Sequence, residues 1–173
     1  MNQKSWITPF NDKVPHIHPE AFVDISARLI GEVRVNRHAS IWPMAVLRAD
    51  SAGIDIGFRA AVLDLALLEA PKGHPVWMGE EALVSHGAIV HGARIEARAL
   101  VGIGAIILDG ALVSSGSIIG AGSLVTPGLQ VPPNSLVLGV PGKVIRQTTP
   151  QERQNILDQL EELYGKSRQL MIP

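Results

Sequence analysis

Ile95-Glu96-Ala97-Arg98-Ala99-Leu100-Val101-Gly102-Ile103-Gly104-Ala105-Ile106-Ile107-Leu108-Asp109-Gly110-Ala111-Leu112-Val113 is the stretch that decides the fold. Ile95, Val101, Ile107 and Val113 stand six apart, and four places after each comes a small residue, Ala99, Ala105, Ala111 or Ser117. The spacing continues unbroken through Ile119, Val125, Val131 and Val137. Ile, Val and Leu fill about three positions in ten, so a run of this length in one frame arises by chance in about 7 of 100,000 trials. The same rung recurs upstream in shifted frames: Val23, Leu29, Val35, Ile41 and Leu47, then Ile56, Val62 and Leu68, then Met78, Val84 and Val90. The frame changes fall at Arg48 to Asp55, at Ala70 to Trp77, and at a single missing residue between Val90 and Ile95, and loops are expected there. A period of two builds an ordinary strand and a period of 3.6 a helix. Six residues per rung with a small residue at each corner predicts an all-β solenoid of triangular section, three faces to a coil.

Composition agrees with a packed single domain. The chain has 173 residues, 46% of them hydrophobic, but only 4% are aromatic and 18% charged, so the apolar content is aliphatic. The longest uncharged apolar run, Ala99 to Leu108, is far short of the ~18 residues of a membrane span. The first residues carry no basic region followed by an apolar one, so a cytoplasmic chain with no membrane contact is expected. Fifteen basic against sixteen acidic residues, with no run of like charge, give no footprint for nucleic acid. The absence of cysteine excludes disulfides, thiolate metal ligands and cysteine nucleophiles together, so any metal must sit on His, Asp or Glu.

Residues 1–147 read as a lead-in and solenoid, and residues 148–173 as a helical tail. Thr149 is a candidate N-cap, with Pro150 at the first helical position and Glu152 three residues after the cap. Ile156, Leu160 and Leu163, with Leu157 and Tyr164 beside them, form an apolar stripe at helical spacing. It should lie on a solenoid face or on a neighbouring subunit.

Three segments stand out from the repeat. Val84-Ser85-His86-Gly87-Ala88-Ile89-Val90-His91-Gly92 places two histidines at outward, turn-adjacent positions, where they are either surface residues or metal ligands. Arg48-Ala49-Asp50 pairs opposite charges at a frame change, an ordinary surface ion pair by itself. Gly139-Val140-Pro141-Gly142-Lys143 reads as a tight turn leaving the solenoid. His74, in the loop after Glu69, reads as a solvated histidine, with a role as substitute ligand or proton shuttle left open.

Taken in order, Phe22-Val23, Leu29-Ile30-Gly31-Glu32-Val33, Ser40-Ile41-Trp42, Arg48-Ala49-Asp50, Ile56-Gly57, the His86 and His91 segment and the Gly139 turn resemble the γ-class carbonic anhydrases among the hexapeptide-repeat proteins. The resemblance runs from about Pro15 to Arg146. It implies a left-handed parallel β-helix, a hand that is an exception among parallel crossovers, and a homotrimer with metal between subunits. It also implies zinc, or iron or cobalt, and hydration of CO2 as the reaction on a small-molecule substrate. By position, His91 comes from one subunit and His86 from its neighbour. The third ligand falls at Glu69, where the family has histidine. Arg48, Asp50 and Asp64 are the charged residues that the resemblance assigns to catalysis, the first two pairing across the trimer interface. Ala61-Val62-Leu63-Asp64 stands where the family reads Asn-Ile-Gln-Asp, so Leu63 replaces the glutamine that contacts the nucleophile. Glu69 and Leu63 together imply weak or lost CO2 hydration. The alternatives are a hexapeptide acyltransferase or another metal-dependent hydrolase, and a metal-free scaffold subunit; two His and one carboxylate also suit iron(II).

Overall fold

The computed structural model describes residues 6–171, so residues 1–5 of the expected lead-in and 172–173 of the tail lie outside the described residues. The chain winds into a parallel β-solenoid of about seven coils, the left-handed β-helix of the hexapeptide-repeat proteins, followed by one helix, α1 (Pro150–Leu170). Every rung residue from Leu29 to Val137 in the frames given above is buried, as are the small corner residues from Ala27 to Ser123. Inward-pointing Val, Ile, Leu and Met stack in columns on the axis. Alanine or serine at most corners lets the chain turn without crowding the column.

The first face is the parallel stack Phe22–Val23, Ser40–Ile41, Ala61–Val62, Leu83–Val84, Leu100–Val101, Ile118–Ile119 and Ser135–Leu138. The second runs through the strand starts at Arg28 and Val46, then Leu67–Glu69, Ile89–His91, Ile106–Ile107 and Leu124–Val125. The third carries His16–Ile17, the ends of the strands Arg28–Val35 and Val46–Ile56, then Val76–Met78, Arg94–Ile95, Leu112–Val113 and Gln130–Val131.

One expected loop is a strand. Across the frame change at Arg48 to Asp55 the chain stays paired as the continuous strand Val46–Ile56, bending from the second face onto the third beside Arg28–Val35. The extra residues are absorbed by a bulge between Gly31 and Val33. Gly31 has φ +77°, and a Cβ there would stand 2.2 Å from the Ala49 carbonyl oxygen, so only glycine permits this crossing. The second expected loop is real: Leu67–Glu69 ends and Val76–Met78 begins across a turn at Lys72 and Gly73. The Gly139 to Lys143 segment also turns as expected and returns the strand Lys143–Gln147 antiparallel to Ser135–Leu138.

Helix α1 begins on the expected signals. Thr149 accepts a hydrogen bond from the Glu152 amide at 3.1 Å, and the Glu152 carboxylate accepts from the Thr149 amide at 2.8 Å. Arg146 donates to both oxygens of the same carboxylate, at 2.8 and 2.9 Å, and this pairing with the cap amide holds the Glu152 carboxyl down to about 2. Ile156 and Leu160 are buried against Ala61, Leu63 and Leu83, so the helix lies on the first face of its own chain. Tyr164 meets the His38 ring edge-on at 5.2 Å and lies under the Arg59 guanidinium at 4.9 Å, which fastens the last turns of the helix.

Candidate metal centre

Arg48, Glu69 and His91 stand in register on three successive strands of the second face, Arg48 opposite Glu69 and Glu69 opposite His91. The repeat puts them there: each follows directly on an inward rung residue, Leu47, Leu68 or Val90, so each points outward at the same height of its coil. Arg48 Nη2 donates to Glu69 Oε1, and Arg48 Nε lies 3.4 Å from Asp50 Oδ2. The expected Arg48 and Asp50 pair therefore forms within one chain and takes in Glu69 as well. His91 Nε2 lies 3.8 Å from Glu69 Oε1, too far for a hydrogen bond. The Glu69 side chain is only 19% exposed, so the carboxylate is partly withdrawn from water and the guanidinium contact matters more than a rim ion pair would.

His91 Nδ1 is 2.5 Å from Asp109 Oδ1. Sequence reasoning passed over Asp109, although it stands one coil of 18 residues after His91 at the same corner. Residue 92 makes the contact possible. Gly92 has φ +59°, and a Cβ there would meet Asp109 Oδ1 and His74 Cβ, each at 2.7 Å. His74 is an exposed loop residue, as expected, and rests over Gly92 at this corner.

His86 sits at the other end of the second face, on the turn that leads into Ile89–His91. Its Nδ1 lies 3.0 Å from Asp64 Oδ2. Asp64, expected among the catalytic residues, is thus placed on a histidine ring. The two histidines share one feature: a carboxylate on Nδ1 leaves Nε2 as the available nitrogen. Leu63 is 1% exposed and packs in the apolar cluster beneath α1 with Ile156 and Leu160. Its side chain fills the seat of the helix.

The donor set fits a divalent ion in its chemistry. A carboxylate and imidazoles are zinc donors, and ligating histidines characteristically hand the second ring nitrogen to a carboxylate. The 3.8 Å between His91 Nε2 and Glu69 Oε1 is close to the ~3.4 Å edge of a tetrahedron at zinc bond lengths. Among the described residues of one chain, no three His, Asp or Glu gather into a metal site. The placement accounts for this, because His86 and the Glu69 and His91 pair occupy opposite ends of one face.

No protein-family model matches the chain. A protein named probable carbonic anhydrase from Methanocaldococcus jannaschii is 52% identical over 130 residues, covering 75% of this chain and 82% of that protein. Gamma carbonic anhydrase 1, mitochondrial, of Arabidopsis thaliana is 33% identical over 147 residues, 82% of this chain and 54% of that protein. Among solved structures, a hexapeptide transferase family protein from Anaplasma phagocytophilum matches with a TM-score of 0.92 at 30% identity, over 96% of this chain and 98% of that one. Fold and likeness define a hexapeptide-repeat left-handed β-helix protein. Within that class, the chain belongs to the γ-class carbonic anhydrase family.

Proposed function

We propose that the chain is a γ-carbonic-anhydrase-type homotrimer in which Glu69 and His91 of one subunit and His86 of the partner subunit hold a zinc ion, and in which CO2 hydration is slow. The observation that carries the reading is a carboxylate against Nδ1 of each histidine, Asp109 hydrogen-bonded to His91 at 2.5 Å and Asp64 at 3.0 Å from His86, which leaves Nε2 available on both. Bound zinc supplies Lewis acidity and brings the pKa of water down to about 7, which is what hydration of CO2 at neutral pH requires.

The residues around that position tune it. Asp50 and Glu69 face the Arg48 guanidinium and Asp109 stands on His91, so three carboxylates against one guanidinium favour a cation at this corner. Arg48 also offsets the charge of Glu69, which brings this carboxylate closer in effect to the neutral imidazole of the family pattern. Slow turnover follows from the anionic Glu69 in place of an imidazole and from the lack of an amide that orients the nucleophile. With the Leu63 side chain under α1, no amide at position 63 orients the nucleophile, and losing one such oriented hydrogen bond costs about 2.7 to 4 kcal/mol of barrier in comparable cases.

Association of the subunits is supported by the corner that carries Asp64 and His86. The successive turns there expose Ile25, Met44, Leu65 and Ile103, each 60% exposed or more. A second copy would cover this stripe. Stopped-flow CO2 hydration beside elemental analysis of the same preparation tests the reading. Bound zinc with measurable but slow turnover is expected, and a protein with neither overturns it. A second reading, acyl transfer with a histidine base, is favoured by the likeness to the hexapeptide transferase family protein. Turnover of acetyl-CoA without bound metal would select it.

A further inference from the structure

We infer that Asp109 is a positioning residue for His91, fixing the tautomer and the aim of the imidazole so that Nε2 presents its lone pair toward Glu69; the inference rests on the metal-site reading above but has its own test. An ionised carboxylate only accepts hydrogen bonds, so at 2.5 Å the proton of the contact belongs to His91 Nδ1. A neutral imidazole that keeps its proton on Nδ1 has its lone pair on Nε2. On its other side Nε2 lies 3.8 Å from Glu69 Oε1.

The backbone at this corner is arranged to deliver the carboxylate. The Gly92 amide donates to the Glu69 carbonyl and the Gly110 amide to the Gly92 carbonyl, both at 2.8 Å, so the turns after Glu69, His91 and Asp109 stack directly on one another. Asp109 then crosses the bare face of Gly92 to reach the ring. Glu69 lies one coil on one side of His91 and Asp109 one coil on the other, so the imidazole is bracketed along the axis, proton side to Asp109 and lone-pair side to Glu69. At the opposite corner Asp64 Oδ2 lies 3.0 Å from His86 Nδ1. Nothing in the solenoid core needs Asp109, whose side chain is 38% exposed, so its loss should leave the coil intact.

The test uses the full-length protein and its Asp109→Ala and Asp109→Asn variants. Nitrogen-15 NMR of the metal-free protein reads the His91 tautomer, and zinc affinity is measured by competition with a chelator. In the wild type His91 is expected as the Nδ1–H form. Asp109→Ala should shift it to a mixture or to the Nε2–H form and weaken zinc binding about 10- to 100-fold with unchanged circular dichroism. Asp109→Asn, whose amide oxygen still accepts from Nδ1, should recover part of both. A His91 tautomer that is the same in the wild type and Asp109→Ala overturns the inference, as does equal zinc affinity in the two. Should the wild type bind no zinc, the metal-site reading fails, and the tautomer measurement still decides the role of Asp109. If Asp109→Ala does not fold, the wild-type tautomer and Asp109→Asn carry the test: an Nε2–H ring in the wild type is fatal.

Discussion

Glu69 is one carboxylate asked to satisfy Arg48 now and a metal ion in the proposed trimer, and its replacement separates the two demands. Glu69→Ala removes the anionic donor and leaves Arg48 only Asp50, so zinc content should fall to a small fraction of wild type. Glu69→His restores three imidazoles. It should retain metal and move the pH–rate profile of CO2 hydration to lower pH, because neutral ligands leave more of the ion's charge to act on water. Equal zinc content in wild type and both variants would remove Glu69 from the site. Leu63 behaves differently from what its place in the sequence motif suggests. Its side chain is sealed under Ile156 and Leu160, so Leu63→Gln buries an amide. A loss of about 1 to 3 kcal/mol in urea denaturation is expected, with no gain in CO2 hydration. Unchanged stability with faster hydration would show that residue 63 faces the reaction after all.

At the scale of elements, the cap of α1 makes the clearest prediction. The Glu152 carboxyl sits at about 2 in the folded protein against an ordinary 4.5, chiefly through Arg146 and then through the Thr149 amide. A depressed folded-state value means that this contribution is complete above pH 4.5 and is lost as the pH falls through about 2. Carbon-13 titration of the Glu152 carboxyl should show the low midpoint, and Arg146→Ala should move it back toward 4.5. A midpoint near 4.5 in the wild type would contradict the bidentate contact. The strands show what a repeat conveys and what it withholds. A period of six sorts every residue into inward and outward, which is why the columns through Val113 and Ile119 were legible. It does not show how a frame change is absorbed, because a loop and a bulged strand shift the frame alike. Val46–Ile56 stays paired through such a shift since Gly31 opposite it can take φ +77°. Asp109 was hidden for a related reason. Its contact with His91 joins residues 18 apart, and which outward residues of neighbouring coils meet is known only once each coil's length is set.

For the whole molecule, the decisive feature is that His86 lies at one end of the second face and the Glu69 and His91 pair at the other. A contact joining unlike corners of two copies is heterologous, and such contacts either propagate without end or close into a ring. In the proposed trimer three such prisms turn the same face inward, which would cover Ile25, Met44, Leu65 and Ile103 and complete each site from two chains. Helix α1 lies on the first face of its own chain and leaves the second face free for this contact. The fold and the two histidines were legible from sequence because they are periodic or local, whereas the proposed completion of the site needs a second chain. Native mass spectrometry of protein purified without added metal tests this most directly. The account predicts the mass of three chains with about one zinc ion per chain, lost together with the metal in His86→Ala. A single chain carrying no metal at micromolar concentration would contradict it.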